Sequence, residues 1–172
     1  MLLGTALGNH AHFPLYIALL GVIAINGARN DPRQQAMPWL LVMAVFALAY
    51  NLDSWLLSWM KPYLNFPRPP LALPINSVHI VGVAEFHHSL PSGHASFAML
   101  CAASAWPALG RPGRLVASLF VLWVGVSRIS LGAHFPADVL GGYVSSLFIV
   151  LVVRTFFQLM AGPPPVETRR RA

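Results

Sequence analysis

Residues 37–60 read MPWLLVMAVFALAYNLDSWLLSWM, a continuous apolar run whose only charged residue is Asp53. About 20 such residues in a helix cross the roughly 30 Å hydrocarbon layer of a bilayer, so the stretch is read as a membrane span. Outward from it, residues 14–28 (PLYIALLGVIAINGA), 92–109, 115–131 and 136–158 have the same character. The pattern predicts an all-α, polytopic transmembrane helical bundle of about five spans. Stretch 92–109 is short and begins polar, as expected of a helix entering the membrane from a wet surface.

Composition agrees. Of 172 residues, 56% are hydrophobic and only 9% charged, and the mean hydropathy is +0.63. A soluble core of this length could not hide that much apolar surface. Residues 1–13 lack a basic leader and an A-x-A-like cleavage site, so no removable signal peptide is expected. The single cysteine, Cys101, excludes an intramolecular disulfide and is read as a small buried thiol. Trp39, Trp55, Trp59, Trp106 and Trp123 mostly fall near span ends, where an aromatic belt is expected.

The net charge of +6 invites a nucleic-acid reading, which its distribution opposes. Arg29 and Arg33, Arg111 and Arg114, and Arg154 with Arg169, Arg170 and Arg171 all fall on one side of a five-span bundle. The positive-inside bias makes that side, and the C-terminus with it, cytoplasmic; if the membrane is a bacterial-type inner membrane, the opposite side is periplasmic. Residues 1–162 are expected to form one transmembrane domain, and 163–172, with three prolines and three arginines, a disordered cytoplasmic tail. The opposite, periplasmic side collects Lys61, Arg68, Arg128 and all seven histidines. A lipid and the bilayer, rather than nucleic acid, are the expected partners, and nothing in the sequence indicates an oligomeric state. Loop 61–91 holds six prolines and is expected to form a turn-rich lid packed over the helix ends on that side, a loop long enough to be functional.

Three polar clusters meet there. In KPYLNFPRP (61–69), Lys61 and Arg68 on a proline-stiffened loop form an anion clamp, because a guanidinium fork matches phosphate oxygens. In HHSLPSGHASF (87–97), Ser92 stands as a helix cap, Gly93 lets an anion approach the backbone, and the free amides of the helix start favour phosphate, while Pro-Ser-Gly taken alone reads equally as a plain helix entry. In SRISLGAHFPADVLGG (127–142), His134 and Asp138 are four residues apart and share a helical face. A carboxylate on one imidazole nitrogen fixes the tautomer and leaves the other nitrogen free. Asp138 also has the plainer reading of an acid favoured at a helix start.

Lys61 with six residues before Arg68-Pro69, Pro91-Ser92-Gly93-His94, and Ser127-Arg128 with five residues before His134 and three more before Asp138 together resemble the signature of the type 2 phosphatidic acid phosphatase superfamily. The resemblance implies a helical membrane phosphatase in which His134 attacks phosphorus to give a phosphohistidine, Asp138 orients it and His94 protonates the leaving oxygen. It further implies that Lys61, Arg68, Ser92, Gly93 and Arg128 hold the phosphate, with no metal and no cofactor. Many bacterial members have three spans before the first motif, whereas two are legible here. The chain is read either as a short member or as one whose apolar amino terminus stands in for part of the first helix.

The expected activity is hydrolysis of a phosphomonoester or diphosphate of a membrane lipid: a polyprenyl diphosphate, phosphatidylglycerol phosphate or phosphatidic acid. The alternatives are phosphoryl transfer to, or hydrolysis of, lipid A or a related glycolipid, and a non-catalytic protein that binds anionic lipid. Glu85, His87 and His88 are assigned to the lid or to headgroup contact; a zinc site with His94 is the weaker reading, with no cysteine nearby. Asp53 is expected either to steady Lys61 or Arg128 from below or to form a local polar patch with Asn51 and Ser54. His10, His12 and His79 are read as exposed interfacial residues.

Overall fold

The computed structural model describes residues 1–30, 37–74, 77, 80 and 85–161, with only the backbone of 27–30. The expected C-terminal tail, Arg33 and His79 lie outside the described residues, as does part of the proline-rich loop. The described residues form helices α1 (Leu2–Leu7), α2 (Phe13–Asn30), α3 (Met37–Leu64), α4 (Pro69–Ala72), α5 (Gly93–Ala105), α6 (Arg111–Ser130) and α7 (Pro136–Ala161), with a 3-10 turn at His10–His12.

Three segments, Met37–Ala72, Arg111–Ser130 and Pro136–Ala161, are long and apolar enough to cross a membrane. The apolar helix at His10–Asn26 is shorter. The third expected span gives the 13-residue α5, followed by a 3-10 turn at Trp106–Ala108. At 1.5 Å per residue α5 is about 20 Å long, less than the hydrocarbon thickness.

Large apolar side chains point outward along the long helices, among them Leu115, Val116 and Leu119 on α6 and Leu140, Val144 and Phe148 on α7. Exposed apolar surface on this scale is what a lipid solvent accepts. Trp55 and Trp59 are exposed near the C-terminal end of α3, with Trp59 stacked on Tyr63 at 5.4 Å, as in an interfacial belt. Val45, Phe46 and Ala49 of α3 pack with Phe97 and Leu100 of α5 and Ile149, Val150 and Val153 of α7 to form the core. The short α5 is thus the buried centre of the bundle.

Asp53 is fully buried within this core. Its carboxylate accepts from Ser96 Oγ at 2.6 and 2.8 Å and from Ser146 Oγ at 2.8 Å, joining α3, α5 and α7. This corrects both expectations for the residue. Its partners are serines, not Lys61 or Arg128, and Asn51 turns away to the Ala47 carbonyl. In a medium without water, each lost partner leaves a polar group unsatisfied. Asp53→Leu is therefore expected to cost about 1–3 kcal/mol of stability by removing the shared acceptor of the two hydroxyls, which then have only each other as partners. Thermal unfolding in detergent checks it, and an unchanged midpoint would contradict the assignment.

The chain directions bring the C-terminal ends of α3 and α6 together with the N-terminal ends of α5 and α7. Lys61, Gly93, Arg128 and Asp138 therefore meet at one end of the bundle. Arg111 and Arg114 open α6 at the other end, and Arg154 lies about 27 Å along α7 from Pro136.

Candidate active site

At that end Asn9, His10, Lys61, Arg68, Glu85, Gly93, His94, Arg128 and His134 line one cavity of about 260 Å³. Six of the eight residues expected for phosphate chemistry are in this lining. Ser92 and Asp138 stand directly behind it.

His134 precedes α7 and is 3% exposed. Its Nε2 lies 3.4 Å from Arg68 Nη1. A guanidinium only donates, so Nε2 must carry the lone pair and Nδ1 the proton. Nδ1 faces Asp138 Oδ2 at 3.6 Å, within ion-pair range and beyond a hydrogen bond. Burial holds the imidazole below its ordinary pKa, helped by the Arg68, Arg128 and Lys61 charges and opposed by Asp138. The ring is therefore neutral at pH 7, with a free nitrogen turned toward a cationic cavity.

Asp138 Oδ2 also accepts from Ser89 Oγ at 2.5 Å and from the Phe135 amide at 2.8 Å. The carboxylate thus ties down the start of α7 through the Phe135 amide and lies beside the His134 ring. Ser89, within the loop expected to form the lid, is fully buried. Among serines of a polar loop, nothing in the sequence distinguishes the one that meets Asp138.

Arg68 is 6% exposed and spends each of its nitrogens. Nε donates to the His87 carbonyl at 2.9 Å, Nη1 to the Ala133 carbonyl at 3.4 Å, and Nη2 pairs with Glu85 Oε2 at 2.5 Å. The Glu85 carboxylate thus sits on the guanidinium that a phosphate would use. His87 and His88 are exposed; His87 serves the site through its carbonyl, and His88 Nδ1 donates to the Lys61 carbonyl at 3.0 Å. Among the described residues no three His, Cys, Asp or Glu side chains converge as a metal site.

Ser92 occupies the N-cap position of α5, but its hydroxyl makes no cap bond and is buried without a partner. Its backbone is fixed instead, with the amide donating to the Asp138 carbonyl at 2.9 Å. Arg128 Nε is likewise buried and unpartnered. Both are donors held ready beside the cavity. His94, on the first turn of α5, is pushed down to about 3 by burial and by Arg128, His134, His10 and Lys61. A cluster this cationic lowers its own cost by binding an anion.

His10 corrects its reading as an exposed interfacial residue: it is half-buried and lines the cavity. His12 is half-buried too.

A family model described as the PAP2 superfamily matches residues 35–160. Phosphatidylglycerophosphatase B of Bacillus subtilis (strain 168) is 29% identical over 152 residues, covering 80% of this chain and 67% of that protein. Phosphatidylglycerophosphatase B of Escherichia coli (strain K12) is 26% identical over 173 residues, covering 76% of this chain and 66% of that protein. The chain therefore spans about two thirds of the length of these relatives. Among solved structures, the transmembrane PAP2 type phosphatidylglycerolphosphate phosphatase from Bacillus subtilis aligns with a TM-score of 0.66 at 25% identity, over 91% of this chain and 74% of that one. Aquifex aeolicus LpxE shares the fold, with a TM-score of 0.59 at 22% identity over 88% of this chain and 92% of that one.

Proposed function

Because the chain belongs to the PAP2 superfamily, we propose that it is an integral-membrane lipid phosphatase that hydrolyses a lipid phosphomonoester or diphosphate through a phosphohistidine on His134. The observation that carries this is the neutral His134, whose Nε2 lone pair faces Arg68 while Asp138 stands behind Nδ1.

Phosphate enters between Lys61, Arg68 and Arg128 and the first turn of α5, and displaces Glu85 from Arg68. His134 Nε2 forms a bond to phosphorus as the bond to the lipid oxygen breaks, and Asp138 stabilises the imidazolium. His94 gives its proton to the departing oxygen. In the free site burial and then the surrounding cations disfavour the protonated His94; a bound dianion offsets the cations and favours it. Water then attacks the phosphohistidine, its proton passes to His94, and inorganic phosphate leaves.

No step draws on a metal. An adjoining cavity of about 290 Å³ shares Arg68, Glu85, His94 and Arg128 and adds Leu2, Pro70, Ile80 and Leu131. That half-apolar wall suits the lipid side of the scissile bond. The names of the relatives favour phosphatidylglycerol phosphate among the candidate lipids. The arginines at the far end of the bundle favour a site on the periplasmic face of the inner membrane and a cytoplasmic C-terminus.

The test is phosphate release by the purified protein from a panel of lipid phosphates in detergent with a chelator present. Release from at least one of them is expected, and none from any would overturn the reading. The pH profile adds a second check. The depressed His134 pKa keeps the nucleophile neutral from alkaline pH down through 6.5, so the acid limb of kcat/KM is expected below pH 6.5. A limb above that value that is distinct from the substrate's own second phosphate ionisation would contradict the neutral nucleophile.

A further inference from the structure

Residues 1–12 lie outside the stretch matched to the PAP2 superfamily, yet two of their side chains reach the residues that line the phosphate cavity. His10 Nε2 lies 2.8 Å from the Gly93 carbonyl. A carbonyl only accepts, so Nε2 carries the proton. The ring is held in that pose between Phe97, at 5.0 Å, and Tyr50, at 5.7 Å between centroids. Asn9 Oδ1 accepts from the Ala11 amide at 2.9 Å and fixes the turn that presents it.

Five residues earlier, Thr5 Oγ1 accepts from Arg128 Nη1 at 3.2 Å and lies 3.3 Å from Ser127 Oγ. Ser127 gives its own proton to the Val124 carbonyl at 2.6 Å. The Thr5 hydroxyl therefore donates to Ser127 and keeps its lone pairs for Arg128. Gly4 and Gly8 permit this close passage: a Cβ on Gly8 would stand 2.7 Å from Val124 Cγ1, and one on Gly4 3.3 Å from Ser127 Oγ.

We infer that His10 and Thr5 are positioning residues of the phosphate site, His10 holding the Gly93–His94 turn and Thr5 aiming the Arg128 guanidinium. The inference rests on the phosphoryl-transfer reading of the cavity. Each residue adds a hydrogen bond from outside the three motif segments to a group that would touch phosphate. Reacting groups tolerate displacements well under 1 Å, so supports of this kind act on rate more than on folding.

The test separates the donor from the ring. His10→Gln places an N–H donor at a reach similar to that of Nε2, whereas His10→Phe keeps the packing on Phe97 and Tyr50 without a donor. His10→Phe is expected to lower kcat by about 10- to 100-fold with KM changed less than about 2-fold, and His10→Gln to recover to within about 3-fold of wild type. Thr5→Val should raise KM by about 5-fold, with Thr5→Ser close to wild type. Binding of orthovanadate, followed by calorimetry, reads the same site without turnover. Wild-type protein that binds vanadate but cleaves no lipid phosphate would fault the substrate reading alone; the vanadate affinities of the variants would then decide positioning. Wild-type kinetics and vanadate affinity in His10→Phe, or a His10→Gln variant as impaired as His10→Phe, would overturn the inference.

Discussion

Replacing His134 by alanine is expected to lower phosphate release by a factor on the order of 10⁴ or more, with the bundle still folded. In the reaction as proposed, no other group stands in for it. Its Nε2 lone pair is already unprotonated beside Arg68, and the proton on Nδ1 points to a carboxylate anchored by Ser89 and the Phe135 amide. His94 is tied to the leaving oxygen, Lys61, Arg68 and Arg128 attract phosphate rather than attack it, Glu85 is paired with Arg68, and His10 is bonded to the Gly93 carbonyl. The variant loses one imidazole just before α7 and no contact of the core cluster. Residual activity above about 1% of wild type would exceed what the surrounding charges alone supply, and would show that a different group attacks.

The second large effect is structural and falls on Gly142. Here α7 crosses the first turn of α5 so closely that a Cβ would stand 2.6 Å from the Ser92 carbonyl oxygen and 3.0 Å from the Ser96 amide nitrogen. Both obstacles are backbone, so no rotamer change relieves them. The same crossing carries the Ser92 amide bond to the Asp138 carbonyl and the Ser96–Ser146–Asp53 cluster. Close approach through small residues is how membrane helices pack without a hydrophobic drive. Gly142→Ala must push the two helices apart. It is expected to cost about 3 kcal/mol of stability. Activity should fall by about 100-fold or more, because the turn bearing Ser92, Gly93 and His94 moves relative to His134. Wild-type thermal stability in detergent together with wild-type kcat would contradict the packing.

These two positions also show what the sequence makes legible. His134 and Asp138 are readable because four residues put two side chains on one face, and because Arg128 stands at a fixed spacing before them. The long helices are readable because α3, α6 and α7 each come from an uninterrupted apolar run. The exact reach of α5 was not: residues 92–109 read as one apolar stretch, but the α-helix stops at Ala105, where Trp106 and Pro107 tighten into a 3-10 turn. Gly142 follows Gly141 inside the last span and looks like any small residue of a membrane helix.

What escaped sequence reading was decided by contacts between distant segments. Asp53 meets serines 43 and 93 residues away, and serines in apolar helices announce no partner. His10 and Thr5 meet Gly93 and Arg128 across 83 and 123 residues. One of two neighbouring histidines and a single threonine in an apolar amino-terminal segment have no spacing or periodicity to mark them. Their role appears only when the folded chain lays that segment across the ends of α5 and α6.

The central claim is a covalent phosphohistidine on His134, and the most direct measurement is to trap it. Purified protein is mixed in detergent and chelator with a lipid substrate carrying labelled terminal phosphate, and quenched within one turnover. The account predicts alkali-stable, acid-labile label on the wild-type chain, mapped to the peptide containing His134 and absent from His134→Ala. Wild-type protein that releases phosphate without acquiring label, or label that persists in His134→Ala, would contradict it.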